Sequence, residues 1–253
     1  MRYTQLVFSP TGGVRKAAGL LSAAISDRFE TIDLSLTLNG QKSARFSEED
    51  VCLIAVPCFG GRVPEIALTR LAQTSGGGAR TILLCAYGNR ADEDTLPELR
   101  DAARKAGYFP VAAVRAVAQH SIIPEIAAGR PDDEDARRLA QFGAVIRDRL
   151  AQRELPPVPI PEKTLLRPFG GLLVHPHAGK QCTRCGKCAA VCPVNAIPRK
   201  HPMLTDDMRC ITCMRCTAVC PVHARRLSRF IVAVAGRKLK KQCAERKEPE
   251  LII

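Results

Sequence analysis

Along the first 150 positions, short blocks of near-continuous hydrophobicity alternate with longer stretches of helical period. Residues 3–8 (YTQLVF), about 30–34, 51–57 (VCLIAVP), 80–87 (RTILLCAY) and 110–118 read as five strands. Between them, Gly12 to Asp27, a segment opened by Pro64 and starting at Glu65, Asp92 to Lys105, and Pro131 to Gln152 read as helices. The last carries Asp132 to Asp135 in its first turn, where negative charge meets the positive end of the helix dipole. Strands that are apolar on both faces and alternate with helices predict a parallel sheet covered on each side. The first half is therefore expected to be an α/β domain with a doubly wound, five-stranded parallel sheet.

The pattern changes after residue 154. Residues 155–178 are rich in Pro and then Gly, a connector composition. From 179 onward a CxxCxxCxxxCP block occurs and then recurs 28 residues later, an internal repeat. The expected organisation is a domain over 1–154, a linker over 155–178, a cysteine domain over 179–230 and a basic tail over 231–253. Within the last part, Arg225 to Lys241 reads as an amphipathic helix that packs back on its own domain.

Composition narrows the classes. With 253 residues, 46% of them hydrophobic, the chain can bury ordinary cores. No apolar run reaches the roughly 18 residues of a membrane span. Met1 and Arg2 lead directly into an alternating segment with no signal-peptide core, so a cytoplasmic protein is expected. Eight of the 12 cysteines fall between Cys182 and Cys220, a clustering that argues for metal rather than a disulfide scaffold. Residues 179–253 hold 16 Lys or Arg against 5 Asp or Glu, whereas the first 178 residues hold 22 against 20. Such a basic half suits nucleic acid, an anionic lipid surface or acidic redox partner proteins, and charge alone does not choose among them. Aromatics make up only 4% of the chain and no nucleic-acid-binding motif is present, so nucleic acid is not an expected partner.

The two blocks are Cys182, Cys185, Cys188 and Cys192-Pro193, then Cys210, Cys213, Cys216 and Cys220-Pro221. Soft thiolates suit iron, and CxxCxxC lets three sulfurs converge on one cubane from a tight loop. Zinc sites favour paired CxxC units with longer gaps. CTRCGKCAAVCPVNAI and CITCMRCTAVCPVHA resemble dicluster ferredoxins down to the Pro after each fourth Cys. That resemblance implies two 4Fe-4S clusters in a small α+β domain, with the fourth cysteines exchanged. Cys182, Cys185, Cys188 and Cys220 would ligate one cluster, and Cys210, Cys213, Cys216 and Cys192 the other.

SPTGG, Ser9 to Gly13, lies between the first strand and first helix, where backbone N–H groups make a phosphate site. Gly12 and Gly13 let backbone approach an anion, and the Ser9 and Thr11 hydroxyls can donate to it. GxGxxG is missing, which favours a single terminal phosphate over a dinucleotide. The loops PCFGGRVP (57–64) and AYGNRADED (86–94) should share the same sheet edge, with Phe59, Gly60, Gly61 and Gly88 able to lie close to a flat ring. With these motifs in place, nearly the whole chain resembles a family of flavodoxin-ferredoxin fusions. The resemblance implies a flavodoxin-like fold and FMN, with Ser9, Thr11 and Gly12 on the phosphate and Phe59, Gly60, Gly88 and Asn89 near the ring. Flavodoxin loops commonly continue with Thr after TG; this chain has Gly13 and Val14.

The expected activity is electron transfer between FMN and the clusters, with a flavin-dependent reductase of a small substrate as the rival. Cys52 and Cys85 read as buried structural thiols, Cys243 as a bystander, and His120 as a packing residue.

Overall fold

A computed structural model of the chain describes residues 2–36, 44–152, 154–163 and 174–253. In the first part β1 (Tyr3–Val7), α1 (Gly13–Ala23), β2 (Phe29–Asp33), β3 (Val51–Pro57), α2 (Glu65–Leu71), β4 (Arg80–Tyr87), α3 (Thr95–Lys105), β5 (Phe109–Val117) and α4 (Asp133–Leu150) follow in order. The strands lie side by side as β2-β1-β3-β4-β5, all parallel. This is the flavodoxin-like doubly wound order, whose reversal between β1 and β3 opens a crevice at the carboxyl ends of the strands. Leu6, Phe8, Ile54, Leu83, Leu96 and Leu99 fill one side of the sheet, and Val7, Leu21, Leu53, Leu84, Leu139 and Ile146 the other. The continuous apolar runs of β3 and β4 follow from that double coverage: every residue of β3 is buried.

Local chemistry sets the helix ends. Asp132 caps α4 with its carboxylate accepting from the Glu134 and Asp135 backbone N–H groups, and Asp135 returns a bond from the Asp132 N–H. Helix α3 starts at Thr95 rather than at Asp92, because Asn89 and Glu93 hold positive φ angles of 61° and 46° and keep the loop from winding into a helix. Gly143 of α4 passes so close to α1 that a Cβ there would come 2.5 Å from that of Ala24.

The expected five-stranded sheet has a sixth member. After β6 (His177–Ala178), α5 (Lys187–Ala190), α6 (Arg215–Ala218), β7 (Arg225–Arg226) and α7 (Arg229–Gln242), the chain returns as β8 (Glu250–Ile252), antiparallel to β5. Three residues carry too little pattern to announce a strand; the pairing is imposed by anchors upstream. The buried Asn89 amide donates to the Cys243 carbonyl at 2.9 Å and the Glu245 carbonyl at 2.8 Å, and accepts from the Lys247 N–H at 3.0 Å. Arg130 donates to the Lys247 carbonyl at 2.6 Å. Arg246 pairs with Asp132 at 2.7 Å, and Arg115 links Asp92 to Glu250. Val232, Leu239 and Cys243 pack against Ile122, Ile123, Ile126 and Ala127, so the segment expected as a basic tail lies on the α/β domain.

The cysteine segment is closed by the two-rung β6–β7 ladder, His177 to Arg226 and Ala178 to Arg225. Its second block and the end of its first meet the α/β domain. Ile211 packs against the first core cluster, and the buried Arg70 guanidinium donates to the Leu34 carbonyl at 2.6 Å and the Pro193 carbonyl at 2.5 Å. Part of the expected linker, residues 164–173, lies outside the described residues.

Replacing Asn89 with Ala leaves two carbonyls and one N–H without their buried partner, a loss of about 2–3 kcal/mol. Amide exchange over 243–252 should accelerate together with a lower Tm; protection equal to wild type would show that the side chain is not the anchor.

Candidate functional site

The two cysteine blocks repeat in backbone conformation as well as in sequence. Arg184, Gly186 and Asn195 take positive φ angles of 56°, 75° and 53°; Thr212, Met214 and His223, each 28 positions later, take 51°, 61° and 48°. Left-handed backbone at five non-glycine residues is a local cost of about 1 kcal/mol or more each, retained because it turns the thiols inward. Short helices follow at Lys187 and Arg215. The N–H of Ala196 donates to the Cys192 sulfur and that of Ala224 to the Cys220 sulfur, both at 3.2 Å, and Arg184 N–H donates to Cys182 at 3.4 Å.

Eight thiols surround two cavities. One, of about 310 Å³ including solvent, is lined by Cys182, Cys185, Cys188 and Cys220 with Pro202 and Pro221. The other, of about 340 Å³, is lined by Cys210, Cys213, Cys216 and Cys192 with Pro193 and Ile197. Three sulfurs of each set come from one block and the fourth from the other. The donor set is all thiol; the second cavity is otherwise walled mostly by apolar residues, and the first adds the cations Arg184, Lys187 and Arg225, a chemistry that fits an iron-sulfur cubane in each.

Burial pushes the Cys213 and Cys216 thiols up to about 12, and raises Cys210 as well. For Cys220 burial also opposes ionisation, but the N–H groups of Arg225, Ala224 and Val222 and the Arg225 charge outweigh it and lower the thiol. Arg225, absent from the sequence-derived site, is the buried cation of this region. Its guanidinium donates to the Pro176, Pro202 and Leu204 carbonyls at 3.0, 2.5 and 2.8 Å and to the Thr205 hydroxyl at 2.6 Å. It lines the first cavity and its charge favours ionised Cys216 and Cys210 at the second. In sequence it is one member of a basic run, with nothing to mark it as buried.

At the carboxyl edge of the sheet, the Ser9 N–H donates to the Ser35 hydroxyl at 2.8 Å, and the Ser9 hydroxyl accepts from the Arg15 N–H at 2.9 Å. Thr11 is exposed. Gly12 precedes α1 with φ 95° and has nothing within 4 Å of where a Cβ would stand, an open cradle at a helix N-terminus. Gly13 packs closely on Ala118. In the next loop Phe59 is half-buried and Gly60, at φ 61°, is exposed and open, whereas a Cβ on Gly61 would strike the Glu93 carboxylate. A Cβ on Gly88 would come 2.5 Å from the His120 ring, and the Asn89 side chain is committed to the C-terminal segment. Thr11, Gly12 and Gly60 thus remain open at the carboxyl edge of the sheet, and these residues fit a phosphate and a flat ring. His120 accepts on Nδ1 from the Ile122 and Ile123 N–H groups, and burial, then the Arg90 charge, lowers its pKa.

A protein family described as a 4Fe-4S dicluster domain matches residues 181–224. No curated protein matches the chain. Among solved structures, a flavodoxin from the domain Archaea is similar at 13% identity and TM-score 0.43, over 60% of this chain and 100% of that one. General stress protein 14 in complex with FMN from Treponema denticola is similar at 15% identity and TM-score 0.35, over 58% and 98%. An NAD(P)H:quinone oxidoreductase from Methanothermobacter marburgensis is similar at 13% identity and TM-score 0.32, over 60% and 96%. The fold assignment itself rests on the strand order of this chain. No helix among the described residues is long and apolar enough to cross a membrane.

Arg225→Gln removes the buried cation and most of its donors. After anaerobic reconstitution the variant should retain less than half the wild-type iron and sulfide, and any cluster that persists should have a lower reduction potential. Full cluster content at an unchanged potential would refute the role. Because the raised thiols Cys213 and Cys216 must lose protons to bind iron, wild-type cluster uptake should fall as the pH is lowered from about 8.5 to about 6.5. Uptake independent of pH would contradict that linkage.

Proposed function

We propose that this fusion of a flavodoxin-like domain with a 4Fe-4S dicluster domain is an iron-sulfur flavoprotein that passes electrons between FMN and its two clusters. The observation that carries the reading is the coexistence, in one packed chain, of two cavities each ringed by four thiols and an open glycine cradle at the switch point of a doubly wound sheet. FMN exchanges electrons in pairs or singly and 4Fe-4S clusters exchange them singly, so the pair can convert between two-electron and one-electron traffic.

The chain's own part is binding and tuning. Cys182, Cys185, Cys188 and Cys220 hold one cluster; Cys210, Cys213, Cys216 and Cys192 hold the other. Backbone N–H groups on the fourth cysteines and the Arg225 charge offset the negative charge of the ligated sulfurs. Gly12 and the exposed Thr11 hydroxyl receive the phosphate, with Ser9 holding the loop to Ser35 and to the start of α1. Phe59 and Gly60 border the ring, and Gly88 shapes the edge by admitting His120.

Anaerobically prepared protein should contain about eight irons and eight sulfides per chain, and take up one FMN. Gly12→Asp should abolish flavin uptake, since any side chain is strained at φ 95° and this one sets a negative charge against the phosphate. Its iron content should stay at the wild-type level. Zinc in place of iron, or wild-type protein that takes up no FMN, would overturn the reading.

A further inference from the structure

The repeat offers an internal comparison. Two loops of the same length and backbone conformation carry three thiols each, yet they face different surroundings. In the second, Cys213 is 9% exposed, Thr212 and Met214 are buried, and Ile211 packs on the α/β core. Arg215 lies 3.9 Å from Asp33 at the end of β2, and Pro193, next to Cys192, receives the Arg70 bond. In the first loop the counterparts are open: Thr183, Arg184, Cys185 and Lys187 are all exposed. The cavity of Cys192, Cys210, Cys213 and Cys216 therefore adjoins the α/β domain, and that of Cys182, Cys185, Cys188 and Cys220 adjoins solvent.

Charge follows the same asymmetry. Residues 179–205 contain Lys180, Arg184, Lys187, Arg199 and Lys200 and not one Asp or Glu. Among the described residues no ion pair engages Lys180, Arg184 or Lys187; all three are exposed, Arg184 and Lys187 line the first cavity, and Lys180 lies two residues before Cys182. Within the second block, by contrast, Arg209 pairs with Asp206 and Arg215 approaches Asp33. A patch of cations without carboxylate partners beside an exposed Cys185 offers an external anionic surface a complementary face. Electron transfer weakens steeply with distance, so a partner seated there would reach the outer cavity directly.

We propose that the loop 180–187 is the docking surface for an acidic, one-electron carrier protein, and that electrons cross between that partner and the α/β domain through the outer cavity first and the inner one second. The proposal rests on the electron-transfer function given above. It also sets Arg70 and Ile211 as the contacts that keep the inner cavity against the α/β domain.

The test uses the full, cluster-loaded chain and, as probe, an oxidised plant-type 2Fe-2S ferredoxin, a small acidic carrier. Calorimetric titration at low ionic strength should give binding that weakens with salt. The triple variant Lys180→Glu, Arg184→Glu, Lys187→Glu should raise Kd by tenfold or more and flatten the salt dependence, within the range that electrostatic steering commands. The equally charged control Arg237→Glu, Lys240→Glu, Lys241→Glu on α7 should stay within about twofold of wild type. Stopped-flow reduction of the carrier should fall in parallel for the first variant, and by more than about tenfold relative to reduction of a small uncharged quinone measured per cluster. If charge reversal lowers cluster content, the milder Gln set at the same three positions decides, with a smaller rise in Kd in the same direction expected. Wild-type affinity in the first variant, selective loss in the α7 variant, or no salt-dependent binding by wild type would each overturn the docking site. Binding with the expected charge dependence but no electron exchange would instead count against the electron-transfer reading.

Discussion

Neither cysteine block can surround a cavity by itself. Each supplies three thiols to one and lends its fourth, Cys192 or Cys220, to the other, so the two blocks must fold as an interlocked pair. This requirement governs the neighbouring structure. It explains why left-handed backbone recurs at the same three offsets, why each fourth cysteine is met by an N–H four residues on, and why Arg225 is held at the wall of the first cavity by four hydrogen bonds. It also passes position along the chain. Since Pro193 follows Cys192, the bond from Arg70 that fixes Pro193 to the α/β domain fixes the inner cavity with it.

The C-terminal segment closes the molecule from the other direction. After α7 it runs past Gly88 and Asn89 and ends as a strand on β5, so chain on both sides of the cysteine unit is anchored to the same sheet. The glycines of this edge have different uses. Gly12 leaves open space at a helix N-terminus, while Gly88 is small because His120 needs the room. Identical residue type in neighbouring loops therefore marks open space at a helix N-terminus in one case and a packing contact in the other.

The doubly wound fold was legible in the sequence because strands buried on both faces, such as 51–57 and 80–87, have no polar alternation and are separated by helical periods. The grouping of the eight cysteines was legible because cluster ligation demands short, fixed spacing. Features that depend on tertiary meeting were not. Glu250–Ile252 becomes a strand only because Asn89, Arg130 and Arg115 hold its flanks, and those partners lie more than 100 residues away. Arg70 and Arg225 read as ordinary helix and surface cations, and only the fold shows that both are buried among carbonyls. Asn89, placed by resemblance beside a ring, spends both its amide groups on the returning chain.

One chain that holds both redox modules would let electrons pass between them without a collision. Stopped-flow reduction of the FMN-loaded, cluster-loaded protein, followed at flavin and cluster wavelengths over a range of protein concentrations, tests it most directly. Equilibration between the two modules at a rate independent of concentration is the predicted result, since the partners are already joined and their effective concentration is fixed by the chain. Equilibration that rises in proportion to protein concentration, or none at all, would contradict it.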